Sequence, residues 1–163
     1  MQVRLQVKPV FAALWGTEKL LSSTDGIAVG RPPENGGTDF GDPVPRNGLH
    51  LDQGPKKQGL HAYQDAVYLE EALVDDWCFA VMTKSNHFHQ EFFTHFGSGH
   101  NEHRKLSDRE FEWLKMQGCD PIRIPVTKGG IDLRDSRTVH AGAAPQLGAK
   151  KVFDKMHDGS ATS

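Results

Sequence analysis

Hydrophobic and polar positions alternate in several short runs of this chain, a pattern typical of β-strands. Residues 60–70 alternate apolar and polar side chains, and residues 76–83 form a compact apolar run of the kind found in buried strands. Shorter runs predict further strands at residues 25–30, 48–53, 121–125 and 131–140. Strands therefore dominate the predicted structure.

Helical periodicity is confined to two segments. Residues 9–22 predict helical turns that pack against a sheet. Residues 107–117 predict a helix with defined ends, because Ser107 and Glu110 have the spacing of a capping box and Gly118 follows as a stop. We therefore expect a mainly β fold with flanking helices.

Chain length and glycine and proline content support a single domain spanning residues 1–163. The chain contains 17 glycines and 9 prolines, which implies many turns between short strands. Residues 31–48 are rich in proline, glycine and asparagine and lack periodicity. This segment is too long for an ordinary connection between secondary-structure elements. The alternatives are a disordered segment and an active-site lid, and the position directly before His50 favours the lid.

Charge and cysteine content exclude several classes of function. The net charge is −2 and no basic stripe is present, which argues against a nucleic-acid partner. No apolar run reaches membrane-spanning length and no signal segment opens the chain, so we expect no membrane association. Cys78 and Cys119 are predicted to be buried thiols rather than a disulfide, which fits a reducing, cytoplasmic location.

Candidate chemistry begins with His50-Leu51-Asp52. Residues i and i+2 of a strand point to the same side, so His50 and Asp52 could face one cavity. A third ligand must then come from another strand, and His140 follows Thr138 in such an alternation. Two histidines and one carboxylate can hold one face of Fe(II) and leave the other positions open. The three side chains therefore predict a metal site of the non-haem iron type.

The pattern His-x-Asp also arises by chance, and the chain contains nine histidines. Residues 85–96 read as a polar loop with a helical turn, in which His87 and His89 could bind zinc only if they lay on a strand. No paired cysteine accompanies them. A structural or substrate-adjacent role is the interpretation we favour for the histidines of residues 87–103, which are His87, His89, His95, His100 and His103.

Five segments occur in an order shared with a known family. They are VFAALWGTEKLLSSTDGI, HLDQ, GLHAYQDAVYL, SNHFHQEFF and KGGIDLRDSRTVHAG. Over most of residues 9–145 the chain resembles the phytanoyl-CoA dioxygenase family of Fe(II)/2-oxoglutarate oxygenases. The resemblance implies a double-stranded β-helix, a cupin-like jelly roll. It also implies iron ligation by His50, Asp52 and His140, which would be the catalytic residues.

The resemblance further implies hydroxylation of a small organic substrate, with Fe(II) as the metal, 2-oxoglutarate and O2 as co-substrates, and succinate and CO2 as co-products. Gln64 matches a position where relatives often have a glutamine lining the pocket, and a hydrogen bond inside the sheet is its alternative role. Asp52 is retained, whereas related iron halogenases replace the carboxylate by a small residue. Hydroxylation is therefore favoured over halogenation.

The chain departs from the family near its end. Relatives hold the distal carboxylate of 2-oxoglutarate with an arginine about ten residues after the second histidine, where the guanidinium fork suits a carboxylate. This chain offers Lys150 and Lys151 there, of which Lys151 is better placed, and a solvated basic pair is the alternative. Residues 150–163 form an atypical, weakly apolar tail. Arg134 stands where relatives commonly have tryptophan, so it must be exposed or paired.

Two other functions remain open from the sequence. The missing arginine favours a catalytically impaired family member that acts as a binding module. A cupin-type metal enzyme could use the same three ligands without 2-oxoglutarate.

Overall fold

The computed structural model describes residues 2–21, 46–97 and 103–146. The predicted strand at residues 25–30, most of the predicted lid at residues 31–48, and the tail with Lys151 lie outside the described residues. Within the described residues there are three α-helices, α1 (Gln2–Trp15), α2 (His89–Phe96) and α3 (Asp108–Met116). The same part of the chain contains seven strands, β1 (His50–Leu51), β2 (Tyr63–Val67), β3 (Cys78–Met82), β4 (Arg104–Lys105), β5 (Pro121–Ile124), β6 (Ile131–Asp135) and β7 (His140–Ala143).

The strands form two antiparallel sheets. The larger sheet has the order β4-β1-β7-β3-β5, and the smaller sheet consists of β2 and β6. The prediction of a mainly β fold with a few helices is confirmed, and two antiparallel sheets are compatible with a β-sandwich. The predicted strands at residues 48–53, 60–70, 76–83 and 121–125 are all present but shorter. The predicted strand at 131–140 divides into β6 and β7.

Helices α2 and α3 cover one face of the larger sheet. Because side chains alternate along a strand, one set of positions faces these helices and the other faces away. The buried set on the helical side forms a contiguous core with the helices, namely Leu49, Leu51, Met82, Phe92, Phe93, Phe111, Leu114, Cys119, Val139 and Ala141. The remaining positions, including His50 and His140, point to the opposite face.

Residues 85–96, predicted as a polar loop with a helical turn, are helical throughout, so the loop part of the prediction was wrong. A 3-10 turn at Ser85–Phe88 leads directly into α2, which buries His89, Phe92 and Phe93. These three positions recur at i, i+3 and i+4, so they share one helical face. Because polar residues lie between these positions, the short apolar stripe was not recognised in the sequence.

Helix α3 has the predicted ends. The Ser107 side chain accepts a hydrogen bond from the Glu110 backbone, and the Glu110 carboxylate accepts one from the Ser107 backbone at 2.7 Å. Gly118 follows the helix with φ near 79°, a left-handed conformation that glycine adopts without steric cost. Phe111 and Leu114 of this helix are buried. The capping residues therefore fix both ends of this helix.

Helix α1 begins earlier than the predicted segment at residues 9–22 and ends at Trp15. The Trp15 ring contacts the Tyr63 ring edge-on, with 5.2 Å between ring centroids, so the end of the helix touches β2. Within the described residues, no helix is long and apolar enough to cross a membrane. Cys78 and Cys119 are buried free thiols, as predicted.

The smaller sheet lies over the face of the larger sheet that the helices leave uncovered. Gln64 of β2 contacts Asp52 directly after β1, and Arg134 of β6 lies over the Phe79 ring of β3. These contacts define an interior space between the two sheets. His50 and His140 face this space, because their pairing across β1 and β7 directs both side chains to one side.

Candidate metal centre

Pairing of β1 with β7 brings the first two candidate ligands together. His50 and His140 are direct partners in the antiparallel register, and their ring centroids lie 4.3 Å apart. Asp52 follows β1 and adds its carboxylate to the same place, so that the potential ligand atoms of the three residues all lie within 4.8 Å of one another. The cluster could hold a metal ion. It is the one group of this kind in residues 2–21, 46–97 and 103–146.

The carboxylate of Asp52 lies between the two imidazoles. Its Oδ1 is 3.5 Å from Nε2 of His50, and its Oδ2 is 3.4 Å from Nε2 of His140. Adjacent ligands of an octahedral metal with bonds of about 2.0–2.2 Å lie roughly 3 Å apart. The two observed separations are slightly longer, and each joins a different oxygen of Asp52 to one imidazole.

Backbone carbonyls fix the orientation of both imidazoles. Nδ1 of His50 lies 2.8 Å from the Gly48 carbonyl, and Nδ1 of His140 lies 2.9 Å from the Thr138 carbonyl. A carbonyl only accepts hydrogen bonds, so each Nδ1 carries the proton and each Nε2 keeps its lone pair. Both lone pairs belong to the nitrogens nearest Asp52. Metal-binding histidines commonly donate the hydrogen of the other ring nitrogen to a carbonyl in this way.

The protonation states suit metal binding. Burial lowers the pKa of His50, assisted by the neighbouring His140 and opposed by the hydrogen bond to Gly48. The neighbouring His140 imidazole is the largest cause, and together with the hydrogen bonds from Gln64 and His103 it outweighs burial and holds the pKa of Asp52 well below its usual range. Metal ligands must be a neutral imidazole and an ionised carboxylate. His50 and Asp52 therefore favour the protonation states needed for ligation.

Burial differs across the cluster and shows where a ligand could enter. The side chain of His140 is 2% exposed, whereas those of His50 and Asp52 are 21% and 30% exposed. His140 therefore anchors the cluster inside the sheet. The accessible side of His50 and Asp52 leaves room for exogenous ligands.

Gln64 was predicted to line the pocket, and it contacts the carboxylate directly. Its Nε2 donates a hydrogen bond to Oδ2 of Asp52 across 2.6 Å. The Oε1 of Gln64 is buried and has no hydrogen-bond partner within the described part of the chain. The two roles considered for Gln64, lining the pocket and making a hydrogen bond inside the sheet, are therefore compatible, because its hydrogen bond joins the smaller sheet to the cluster.

His103 is a neighbour of the cluster that the sequence reading did not identify as a site residue. Its Nδ1 lies 3.2 Å from Oδ1 of Asp52, and its ring centroid lies 4.6 Å from that of His50. The cause is strand pairing, since Arg104 of β4 is the partner of Leu51. In the sequence, His103 is a histidine directly before the short strand β4, and nothing in the sequence shows which strand β4 pairs with. His103 is 55% exposed and stands on the open side.

Gln53 is a second residue that the sequence reading missed. Its buried Nε2 donates to the carbonyls of Lys57 and Gly59 at 2.7 and 2.8 Å, and its Oε1 accepts from the Ser136 hydroxyl at 2.7 Å. Its backbone carbonyl lies 2.8 Å from Nε2 of His89. The residue after the candidate carboxylate ligand is therefore held by four contacts, which restricts movement of that ligand.

The other residues considered in the sequence make contacts outside the metal cluster. His89 is buried and bonded to Gln53, whereas His87 is exposed, so the pair offers no zinc site of the kind considered. Arg137 pairs with the Asp135 carboxylate through Nε at 2.9 Å. Arg134, which the sequence required to be exposed or paired, pairs with Asp132. Lys151 lies outside the described residues.

A cleft of about 680 Å³ lies between β3 and β5 of the larger sheet and β6 of the smaller one, and none of His50, Asp52 and His140 lines it. Val81 lines this cleft and is the direct partner of His140 in the β3–β7 register. Thr138, whose carbonyl orients His140, also lines it. A cleft of this volume accommodates a small organic molecule.

Comparison with known proteins yields one informative match. The chain is 29% identical over 143 residues to "Ava biosynthesis cluster protein O" of Aspergillus versicolor, across 82% of this chain and 44% of that protein. The chain thus spans less than half the length of the curated relative. No family model matches the chain, and no solved structure matches it.

Proposed function

We propose that this protein is an Fe(II)- and 2-oxoglutarate-dependent dioxygenase that hydroxylates a small organic substrate, and that it belongs to the phytanoyl-CoA dioxygenase family. One observation carries the proposal: two oriented imidazole nitrogens and one carboxylate converge within 4.8 Å. Two histidines and one carboxylate are the ligand set of non-haem iron oxygenases. The same donor atoms also accept Mn(II), Co(II) or Zn(II), so the metal is part of the proposal.

The strand arrangement supports the jelly-roll part of the proposal. In the described residues, β1 and β7 carry the histidines in the middle of the larger sheet, and β2 and β6 lie over the same face. A double-stranded β-helix encloses its ligand site between two antiparallel sheets in this way. Among the described strands β2 pairs with β6 alone, which leaves its other edge for a further strand.

Each protein group has a defined task in this proposal. His50, His140 and Asp52 would hold one face of the iron, and Asp52 would neutralise one of its two charges. Gln64 would keep the carboxylate turned toward the imidazoles. The bound iron, 2-oxoglutarate and O2 would supply the oxidising chemistry.

The similarity to a protein of a biosynthesis cluster supports an enzyme acting on a small molecule. Such clusters assemble a carbon skeleton and then modify it, and hydroxylation is one such modification. The printed name describes the relative as a cluster member and states no reaction. The class of reaction is therefore argued from the metal ligands alone.

Anaerobic metal and co-substrate binding tests the proposal. Fe(II) followed by 2-oxoglutarate should produce a weak visible absorption band near about 500 nm, and admission of air should then yield succinate. Asp52→Ala should abolish both signals, because one ligand is lost. Asp75→Ala removes an exposed carboxylate elsewhere and should change neither. A wild-type protein that binds no Fe(II), or binds it without a band or succinate, would overturn the proposal.

The position of His103 favours a second candidate function. Three imidazoles surround Asp52, since Nδ1 of His103 is 3.2 Å from Oδ1. A cupin-type metal enzyme could use such surroundings without 2-oxoglutarate. Metal binding that is lost in Asp52→Ala, with no response to 2-oxoglutarate in the wild type, is the result expected for this candidate. Absence of any metal binding would instead favour a binding module.

A further inference from the structure

Arg134 and Gln64 are direct partners across β6 and β2, so their side chains point to the same side of the smaller sheet. Nε2 of Gln64 reaches Asp52 from that side. The sequence singled out Arg134 as a charge that must be exposed or paired, and its side chain is only 12% exposed. A buried guanidinium therefore lies next to the amide that contacts a candidate metal ligand.

Each of these two side chains has a buried polar atom without a partner. Within the described residues, Oε1 of Gln64 and Nε of Arg134 are both buried and make no hydrogen bond. One atom is an acceptor and the other is a donor, so the two unsatisfied groups are complementary. Directly opposite side chains of paired strands start about 4.5–5.5 Å apart at Cβ, which places these groups within mutual reach. Buried polar groups are seldom left without a partner, and pairing with each other would satisfy both.

The charges around Gln64 favour one orientation of its amide. The amide donates to the Asp52 carboxylate and leaves its oxygen for a donor. The reversed amide would place its oxygen against the carboxylate and its hydrogens against the guanidinium, and both contacts would be repulsive. Arg134 therefore favours the orientation in which Gln64 restrains Asp52. Polarisation along the chain from guanidinium to amide to carboxylate would strengthen that hydrogen bond further.

Two neighbours hold the Arg134 guanidinium on this inner face. Its Nη1 donates a hydrogen bond of 3.3 Å to Asp132, and its Cζ lies 4.3 Å from the centroid of the Phe79 ring. Asp132 is itself fixed by a hydrogen bond of 2.6 Å from the Ala66 backbone. The Asp132 carboxylate also balances the charge of the guanidinium, which limits the repulsion of a bound metal cation. The guanidinium is therefore held in place with its charge compensated.

We propose that Arg134 is a positioning residue of the candidate metal centre and acts on Asp52 through the amide of Gln64. Nε of Arg134 would donate to Oε1 of Gln64, whose Nε2 donates to Asp52. Among the described residues the hydrogen bond of Arg134 goes to Asp132 and not to a metal ligand, so its influence on the metal is indirect. The inference rests on the metal binding that the proposed function requires.

The sign of the change in metal affinity tests this role in the full chain. Arg134→Met removes the positive charge and leaves the Asp132 carboxylate without its partner. Both changes favour a bound cation, so an electrostatic role alone predicts tighter Co(II) binding. A positioning role predicts weaker binding, by about threefold to 10-fold, less than for a residue in direct contact with a ligand. Arg109→Met, at an exposed position on α3, should bind Co(II) as the wild type does. Unchanged or tighter binding in Arg134→Met would overturn the proposal.

A double-mutant cycle shows whether the effect passes through Gln64. In the Gln64→Leu background the amide is absent, so Arg134→Met should change Co(II) affinity by less than about twofold. A general loss of stability would instead weaken Co(II) binding by the same factor in both backgrounds, and that result would overturn the proposal. Competition with a chromophoric chelator measures the affinity of all four proteins.

A second variant keeps the test decisive. If Arg134→Met does not fold by circular dichroism, Arg134→Lys replaces it in the cycle. Lysine keeps the charge but has no planar group of donors beside the amide, so Co(II) binding should weaken by about twofold to threefold. An affinity of Arg134→Lys equal to that of the wild type would also overturn the proposal.

Formation of succinate separates this inference from the proposed function. Weaker Co(II) binding in Arg134→Met that depends on Gln64, in a protein that forms no succinate from 2-oxoglutarate, would retain the positioning role and reject the dioxygenase. Succinate formation by the wild type, together with unchanged Co(II) affinity in Arg134→Met, would reject the positioning role and retain the dioxygenase. Absence of both Co(II) and Fe(II) binding to the wild type would reject both.

Discussion

Gln64 donates a hydrogen bond across 2.6 Å to Oδ2 of Asp52, and this contact joins the smaller sheet to the candidate metal centre. Asp52 follows a strand of only two residues, so β1 alone gives it little support. The amide of Gln64 restrains the carboxylate from the opposite sheet. Residues that orient metal ligands in this way commonly change metal affinity when they are replaced.

Gln64→Leu should therefore weaken metal binding without abolishing it. The leucine keeps the side-chain volume but loses the donor, and we expect a decrease in Co(II) affinity of about 10-fold to 100-fold. Competition with a chromophoric chelator measures the change. Gln90→Leu on the exposed side of α2 is the matched control and should bind Co(II) as the wild type does. An unchanged affinity in Gln64→Leu would show that the hydrogen bond does not position the carboxylate.

His103 should contribute less to metal affinity than the three candidate ligands. It contacts Oδ1 of Asp52 but stands outside the group whose donor atoms lie within 4.8 Å of one another. His103→Phe keeps a ring against His50 and removes the imidazole nitrogens. We expect a decrease in Co(II) affinity of about 10-fold, compared with near-complete loss for His140→Ala.

The absorption spectrum of bound Co(II) separates two roles of His103. A positioning residue should leave the ligand-field bands nearly unchanged in His103→Phe. A fourth metal ligand should shift them, because a nitrogen donor is replaced by water. His61→Phe alters an exposed histidine with no contact to the cluster among the described residues and provides the reference. A loss of Co(II) binding as large as that of His140→Ala would contradict the lesser role.

Gln53 should stabilise the fold more than its position in a connecting segment suggests. Gln53→Leu would leave the buried Ser136 hydroxyl without this partner and would remove hydrogen bonds to the carbonyls of Lys57 and Gly59, which lie nearer the surface. An unsatisfied buried group costs about 1–3 kcal/mol, so we expect a decrease of about 1–3 kcal/mol in the free energy of unfolding. Urea denaturation followed by circular dichroism measures this quantity.

A double-mutant cycle checks the origin of that loss. Ser136→Ala removes the hydroxyl that donates to Oε1 of Gln53. In the double variant, part of the cost of Gln53→Leu should disappear, because the hydroxyl is no longer left without its partner. Strict additivity of the two single changes would indicate that the amide and the hydroxyl do not interact.

Local signals in the sequence predicted the elements that local chemistry determines. The capping box of Ser107 and Glu110 and the stop at Gly118 defined α3, alternation located β2, and a compact apolar run located β3. Helix α2 was missed because its buried positions are few and lie between polar residues. The spacing of His50 and Asp52 selected two members of the cluster without any knowledge of strand pairing.

Contacts between distant segments could not be predicted from the sequence. His103 joins the cluster because β4 pairs with β1, and Arg134 faces the site because it is the partner of Gln64. Strand register determines both, and register depends on side-chain packing across the whole sheet. The resemblance to a family supplied Gln64 as a site residue, whereas its hydrogen bond to Asp52 required coordinates.

Acid should destabilise the fold through His89, which lies beneath the candidate centre. Burial lowers the pKa of His89 from 6.5; the hydrogen bond to Gln53 and the charge of Asp135 oppose this effect, and Arg137 adds to it. The unfolded chain therefore binds a proton near pH 6.5 that the folded protein resists. The stability that His89 contributes is present above pH 6.5. As the pH falls below that value, the free energy of unfolding decreases by about 1.4 kcal/mol per pH unit until the folded-state pKa is reached.

His89→Gln should reduce this sensitivity to acid. At about pH 7.5 the variant should be less stable than the wild type, because it packs less well against Phe93. The difference in the free energy of unfolding should narrow as the pH falls to about 5, since glutamine takes up no proton in either state. Urea denaturation at several pH values measures this difference, and comparing the two proteins removes the contribution of the titrating groups that they share.

Phe93→Leu disturbs the same contact without a titrating group, so its difference from the wild type in the free energy of unfolding should stay constant. A constant or widening difference for His89→Gln would contradict the prediction.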